Sequence, residues 1–192
     1  RAGVNMADGF SRINAGRKIG VFSMQRGPGA ENAFGGVAQG FADSVPMLLL
    51  PGGSERSRIG VHPGFDSIDH YKGITKWTGH INMVERIPEM MRRAFSQMKH
   101  GRHGPVVLEM PGDVAEEEYP GDTVPYTPVQ EIRSAANPDD VRDLVTALLK
   151  AEAPVINAGQ GILYAQATDD LVEFAELINI PVMTTLAGKS SF

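Results

Sequence analysis

The stretch "SMQRGPGAENAFGGVAQGFADSVPMLLL" places Gly27, Pro28 and Gly29 between two apolar segments, as a corner almost bare of side chains. The glycines have no Cβ, so a ligand or a second backbone can come very close. Pro28 fixes one φ and offers a flat apolar ring where a backbone donor would otherwise stand. Two chemistries suit a corner of this kind where a strand ends and a helix begins. An anion can rest on the backbone N–H groups of the helix N-terminus. A flat heterocycle can instead lie against the proline ring, and the donor that Pro28 removes favours this second version. On spacing alone, a tight structural turn stays equally open.

Other residues carry chemistry nearby or further along. Arg26 precedes the corner, where a cation can meet a substrate carboxylate; the alternative is a solvated surface arginine. His100 and His103 are spaced like a metal pair, but no third ligand is apparent. They follow a helix whose C-terminal dipole favours cations, so a capping role is expected. His62 and His70 lie in a loop that can reach a substrate, with solvent exposure as the plainer expectation. The "EEE" at 116–118 reads as a solvated charge run. No G-x-G-x-x-G follows a strand, which argues against a nicotinamide-binding domain.

The elements that must position these residues alternate between strand-like runs and helical periodicity, as βαβ units with a parallel sheet do. Ile19–Ser23 reads as a buried strand running into the corner. Phe34, Val37, Ala38 and Phe41 follow at helical spacing and predict one apolar helix face. Pro46–Leu50 is the next strand, and residues 51–73 read as a long loop of the kind that is usually functional or mobile. Ile87, Met90, Met91, Ala94, Phe95 and Met98 mark a helix with Pro88 near its first turn, and Pro105–Met110 another strand. Residues 116–136 hold four prolines and no periodicity, which predicts a linker. Asn137 and Pro138 then look like an N-cap and first helical residue. Behind them come the helix face Val141, Leu144, Val145, Leu148 and Leu149, the strand Pro154–Ala158, a second helix face over Leu171–Ile178, and the strand Ile180–Thr184. The expected division is a first α/β domain over 1–115, a linker over 116–136, and the start of a second α/β domain over 137–192.

Composition narrows the class. Hydrophobic residues at 42% and charged residues at 21% describe a soluble globular chain with a sizeable core. The formal charge of -5, without a basic block, argues against nucleic acid and acidic membrane surfaces as partners. No apolar run approaches the length of a membrane span. The absence of cysteine excludes disulfides and thiolate metal sites and fits a reducing cytoplasm. The opening "RAGVNMADGF", already inside a helical pattern, leads us to expect a piece of a longer protein.

Several ordered motifs resemble one family. "NMADGFSRINAGRKIGVFSMQRGPGAENAFGGVAQGFADSVPMLLLPG", "ITKW", "RIPEMMRRAF" and "GRHGPVVLEMPGDV" resemble the pyrimidine-binding (Pyr) domain of thiamine diphosphate-dependent enzymes of the acetohydroxyacid synthase and pyruvate oxidase group. There "MADGYAR", a strand, "SGPGATN", a helix ending "A-D-S-x-P" and a strand follow in this order, with "TK", "LPxxxxxAF" and "GRPGPVxxxxPxDV" later. "APVINAGQGI" and "IPVMTTLAGKSSF" resemble the start of the family's central domain, where "TT-x-x-GKG" is usual.

The resemblance implies an α/β Pyr-type fold, a parallel sheet flanked by helices. It implies that Gly27, Pro28 and Gly29 pack against the aminopyrimidine of thiamine diphosphate. Asn32 occupies the family's Asn position near that ring, with helix capping open beside it. Asp8 and Asp43 fall in matched motifs, where structural or interface roles are expected. Phe65 holds the place of the Phe in the family's Phe-Gln-Glu, beside the substrate, but Asp66 and Ser67 do not supply the Gln. Arg26 replaces a small residue, often Ser, and is a substrate-side candidate. The family's cofactor-activating Glu lies six residues before the Met of "MADG", immediately before Arg1, so no catalytic residue is assigned within 1–192. Mg²⁺ and the diphosphate are held by a Gly-Asp-Gly…Asn motif that "PGDV" and "PGDT" do not replace. The implied activity is decarboxylation of an α-keto acid with carboligation, completed by a second subunit in a homodimer or homotetramer. A decarboxylase, lyase or oxidase on another 2-keto substrate, or a non-catalytic relative, remains as the alternative. "NAGQGI" and "TTLAG" resemble turns that line FAD in many synthases and that persist in relatives without flavin, so FAD stays open.

Overall fold

Leu48, Val106 and Leu108 are buried in one core while Met47, Leu49 and Val107 are buried in another. A side-chain period of two along neighbouring strands produces this sorting onto the two faces of a sheet. The computed structural model describes residues 1–192 apart from Glu131 and Arg133, and it divides into two units, Arg1–Ile132 and Arg133–Phe192. The first unit runs α1 (Ala2–Ile13), β1 (Gly20–Met24), α2 (Pro28–Ala42), β2 (Met47–Gly53), a 3-10 turn (Arg56–Arg58), α3 (Ser67–Tyr71), a second such turn (Lys72–Ile74), β3 (Trp77–His80), a third (Val84–Arg86), α4 (Ile87–Lys99), β4 (Val106–Pro111) and α5 (Gly112–Ala115). The strands lie in the order β1-β2-β4-β3 and every neighbouring pair is parallel.

The chain crosses the sheet in one direction from β1 through β2 to β3, then turns back to β4. Right-handed crossovers place helices on opposite faces on either side of such a reversal. Residues of α1 and α2, with Tyr71 of α3, accordingly fill the first core, and Met90, Ala94 and Met98 of α4 fill the second. Each fully buried Leu or Val is worth roughly 1.5–3 kcal/mol relative to exposure.

α1 is pinned by small residues. Ser11 is fully buried, and its hydroxyl donates to the Pro46 carbonyl at 2.6 Å and accepts from the Gly20 N–H at 2.8 Å. A Cβ at Gly20 would stand 2.1 Å from the Ala7 carbonyl oxygen, so β1 reaches α1 only because residue 20 is glycine. The buried face of α2 differs from the expected one: Ala30, Ala33, Gly36, Val37 and Gly40 face inward, while Phe34 and Phe41 remain partly exposed. Close approach is the reason. A Cβ at Gly36 would fall 2.6 Å from Val4 and one at Gly40 2.3 Å from Met47.

Residues 51–73 are not the unbroken loop expected from their composition. β2 continues to Gly53, and α3 forms with Asp66 as its N-cap, its carboxylate accepting from the Asp69 N–H at 3.1 Å. Residues 116–136 contain no helix or strand among those described; Glu131 and Arg133 lie outside the described residues. Part of this segment packs on the first unit. Tyr119 lies against the second core, and the carbonyls of Val129 and Gln130 meet Lys99 and His100 at the end of α4. Glu117 is not left to solvent, because it pairs with Arg56.

The second unit runs α6 (Pro138–Lys150), β5 (Ile156–Ala158), α7 (Gly161–Ala165), α8 (Thr168–Ile178) and β6 (Val182–Thr184), with β5 and β6 parallel. Asn137 caps α6 as its sequence predicts, accepting from the Asp139 N–H at 3.0 Å with Pro138 opening the helix. Leu144 and Leu149, expected on an apolar face, are exposed. Among the described residues no helix is long and apolar enough to cross a membrane.

Candidate functional site

Because the sheet is parallel, the carboxyl ends of its four strands share one edge, the edge at which ligands bind in open α/β sheets. β1 delivers the corner there. Gly27 adopts φ +65°, the left-handed region that favours glycine, and caps α2 while Pro28 begins it. The carbonyls of Gln25 and Gly27 accept from Ala30 and Glu31 at 3.1 and 2.8 Å, so the turn is closed by its own backbone. No atom lies within 4 Å of the point a Gly27 Cβ would occupy, and Pro28 is exposed. A flat group therefore has room to approach this side of the corner. Gly29 has a different reason to be glycine: its Cβ would stand 2.8 Å from that of Gln25.

Asn32 spends its side-chain N–H₂ on the Pro28 carbonyl at 2.7 Å and so braces the corner from the next helical turn. Arg26 is exposed, its backbone near Gly52 of β2, and its side chain makes no ion pair among the described residues. Phe65 is half-buried against the first core, stacks on His70 with centroids 4.5 Å apart, and meets Tyr71 edge-on. Tyr71 is fully buried, and its hydroxyl donates to the Ala30 carbonyl at 2.5 Å. That bond ties the loop bearing Phe65 to the first turn of α2, two residues beyond Pro28. Burial pushes the Tyr71 phenol up to about 12.

A cavity of about 410 Å³ opens at the same edge, beneath residues 54–70. Its wall includes Arg58, His62, Phe65, His70, His80 and Glu109. His80 and Glu109 are register partners at the ends of β3 and β4, with His80 Nδ1 3.2 Å from Glu109 Oε1. Glu109 is only 7% exposed. Its carboxylate fits against β2 because residue 53 is glycine, whose Cβ would stand 2.7 Å from Oε1. Sequence inspection passed over this pair. A charged residue inside the buried run "VVLEMP" was the available signal.

The remaining candidates are structural. Arg12 bridges Asp8 at 2.7 Å and Asp43 at 2.8 Å, joining α1 to the end of α2. His100 caps α4: its N–H donates to the Ser96 carbonyl, while the ring contacts the Ser96 hydroxyl and the Gln130 carbonyl. His103 is half-buried beyond it. Among the described residues no group of three or more His, Cys, Asp or Glu is placed to hold a metal ion.

Two family models match the chain: the N-terminal TPP binding domain of thiamine pyrophosphate enzymes over residues 1–73, and the central domain of the same enzymes over residues 141–192. A probable acetolactate synthase large subunit of Methanocaldococcus jannaschii is 36% identical across all of this chain and 33% of its own length. The acetolactate synthase large subunit of Buchnera aphidicola from Acyrthosiphon pisum is 34% identical over all of this chain and 34% of its own length. A glyoxylate carboligase of Escherichia coli O157:H7 is 34% identical over 96% of this chain and 31% of its own length. The chain thus spans about a third of the length of the curated relatives it matches. With the two domain models of one enzyme family matched in chain order, together over more than half of its residues, the chain belongs to the thiamine pyrophosphate enzyme family.

Proposed function

We propose that the full-length protein is a thiamine diphosphate- and Mg²⁺-dependent enzyme that decarboxylates an α-keto acid and ligates the product to a second carbonyl compound. The observation carrying this reading is the corner at Gly27 and Pro28: an exposed proline ring beside open space, at the carboxyl end of β1 and the start of α2. Such a surface suits the face of an aminopyrimidine. Bound there, thiamine diphosphate would supply the carbanion-stabilising chemistry that no side chain provides. In this chain Gly27 and Pro28 would bear the ring, Asn32 and Gly29 would hold the corner's shape, and Phe65 with Arg26 would border the substrate. The Mg²⁺ and diphosphate ligands belong outside residues 1–192, so a second subunit would complete the site in a homodimer or homotetramer. FAD is a further candidate for the second unit, and an absorbance spectrum of the full-length protein tests it. The lack of cysteine fits a cytoplasmic setting.

A second reading keeps the cofactor and changes the substrate: a carboligase or decarboxylase for a different 2-keto acid. It is favoured by Asp66, whose carboxylate caps α3, and by Ser67, which is 1% exposed, since neither presents a polar group as the family's Gln does.

The test is calorimetric titration of the full-length protein with thiamine diphosphate and Mg²⁺. Pro28→Ala is expected to weaken binding about tenfold, roughly 1.4 kcal/mol. A proline at a first helical position changed to alanine costs folding only about 1 kcal/mol or less, so the cofactor-free melting temperature should barely move. Unchanged affinity with a much lower melting temperature would make the corner a structural turn and sink the proposal.

A further inference from the structure

Among the described residues, two buried side-chain polar atoms lack a hydrogen-bond partner: Ser67 Oγ and His80 Nε2. Buried polar atoms are nearly always satisfied, so each unsatisfied one calls for a reason. One of them belongs to the cavity: His80 forms part of its wall, whereas Ser67, between the lining residues Asp66 and Ile68, does not line it. The charges of that wall are unevenly committed. Glu109 faces His80, Asp66 accepts from the Asp69 N–H, and Asp69 pairs with Lys72. The side chains of Arg58 and His62 make no hydrogen bond or ion pair among the described residues. What the wall has to spare is therefore the charge of Arg58 and the hydrogen-bonding capacity of His62 and of His80 Nε2.

We infer that this cavity binds a small organic anion of the α-oxo acid class, and that His80, held by Glu109, determines specificity by bonding one of its oxygens through Nε2. The choice of α-oxo acid rests on the proposed function; the preference for an anion rests on the wall alone. Glu109 fixes the ring by taking the Nδ1 side, which leaves Nε2 as the atom to bond a ligand, as a donor when it carries a proton. Gly53 makes the arrangement possible by leaving room for the Glu109 carboxylate. Arg58, exposed and on the wall, would meet the ligand's carboxylate. A cavity of about 410 Å³ lies within the range of small-molecule sites.

Pyruvate is the probe, and the full-length protein without cofactor is titrated with it by saturation-transfer difference NMR. Saturable binding is expected in the unsubstituted protein, with about tenfold weakening in His80→Gln and in Glu109→Gln. Arg58→Ala, on an exposed turn where misfolding is not an issue, should weaken it as well. In the cofactor-loaded enzyme, His80→Gln should raise KM for pyruvate about tenfold and leave kcat nearly unchanged. Absence of saturable binding, or equal binding by the unsubstituted protein, His80→Gln and Arg58→Ala, overturns the inference. So does a fall in kcat at constant KM. Failure of thiamine diphosphate binding alone would defeat the proposed function and leave this cofactor-free measurement standing.

Discussion

Tyr71→Phe isolates the bond that joins the Phe65 loop to the corner's helix. The substitution keeps the ring, and with it the contacts to Phe34 at 5.4 Å and Phe65 at 6.4 Å, and removes only the hydroxyl bonded to Ala30 at 2.5 Å. The Ala30 carbonyl lies inside α2 and keeps its helical partner, so no acceptor is stranded. The loss should then equal one ordinary buried hydrogen bond, about 1 kcal/mol. For a unit of this size that is a drop in Tm of roughly 3–4 °C. Trp77, the one tryptophan in the chain, sits in β3 and reports on the first unit alone. Urea unfolding followed by its fluorescence is the assay. The pH dependence supplies a second, independent readout. Burial raises the folded phenol to about 12, while an unfolded tyrosine titrates near 10. A raised folded value means this stability is complete below pH 10 and is lost as pH climbs towards 12. Tyr71→Phe has no such proton to lose. The gap between the two proteins should therefore be about 1 kcal/mol at pH 8 and shrink steadily above pH 10. Equal midpoints at pH 8, or a gap that stays constant to pH 11, would refute the reasoning.

Two further substitutions probe the same unit. Gly53→Ala would place a Cβ 2.7 Å from Glu109 Oε1 and should cost about 2 kcal/mol in the same urea assay; adding Glu109→Ala should recover most of it, and the absence of recovery would show that the carboxylate does not pack there. Arg12→Ala leaves Asp8 and Asp43 without their shared cation and should cost about 1 kcal/mol, an effect smaller in 1 M salt; a salt-independent loss would point instead to packing by the arginine stem.

The sequence announced its strands better than the faces of its helices. β2 and β4 stand out as short apolar runs, and α4 as a clean i, i+3, i+4 stripe, because burial on both sides of a sheet or along one helix face demands those patterns; β1, expected to be buried, is instead an edge strand whose Val21 is 53% exposed. α2 misleads for a physical reason. Its inward face is built from alanine and glycine, which hydrophobic periodicity scarcely registers, while its two phenylalanines stand partly in solvent. β3 is short and ends in a polar His80, so alternation had little to work on. The candidate site divides likewise. The turn at the corner was legible from three adjacent residues whose types constrain the backbone. The His80–Glu109 pair was not, since its members are 29 positions apart and meet only through the register of β3 with β4.

Glycine is where sequence and geometry inform one another most. Gly27 and Gly29 stand where α2 opens after β1, and Gly53 ends β2, all at the carboxyl edge of the sheet, where a missing Cβ can serve a ligand or the protein's own packing. The positions of their absent Cβ atoms separate them. At Gly29 that position is taken by Gln25, and at Gly53 by Glu109, so both glycines serve protein packing. At Gly27 it is open, while φ +65° disfavours any side chain on backbone grounds alone. A residue held glycine-like by its backbone, with empty space beside it and a proline ring next to it, offers a surface that the protein itself leaves uncovered. An approaching flat group would meet the proline ring and bare main chain there, with no side chain to displace and no carbonyl stripped of its partner, because the turn's own bonds to Ala30 and Glu31 are already made. The same corner would tolerate Gly29 substitutions poorly even with no ligand present, which is why Pro28, rather than either glycine, is the residue whose replacement separates binding from folding.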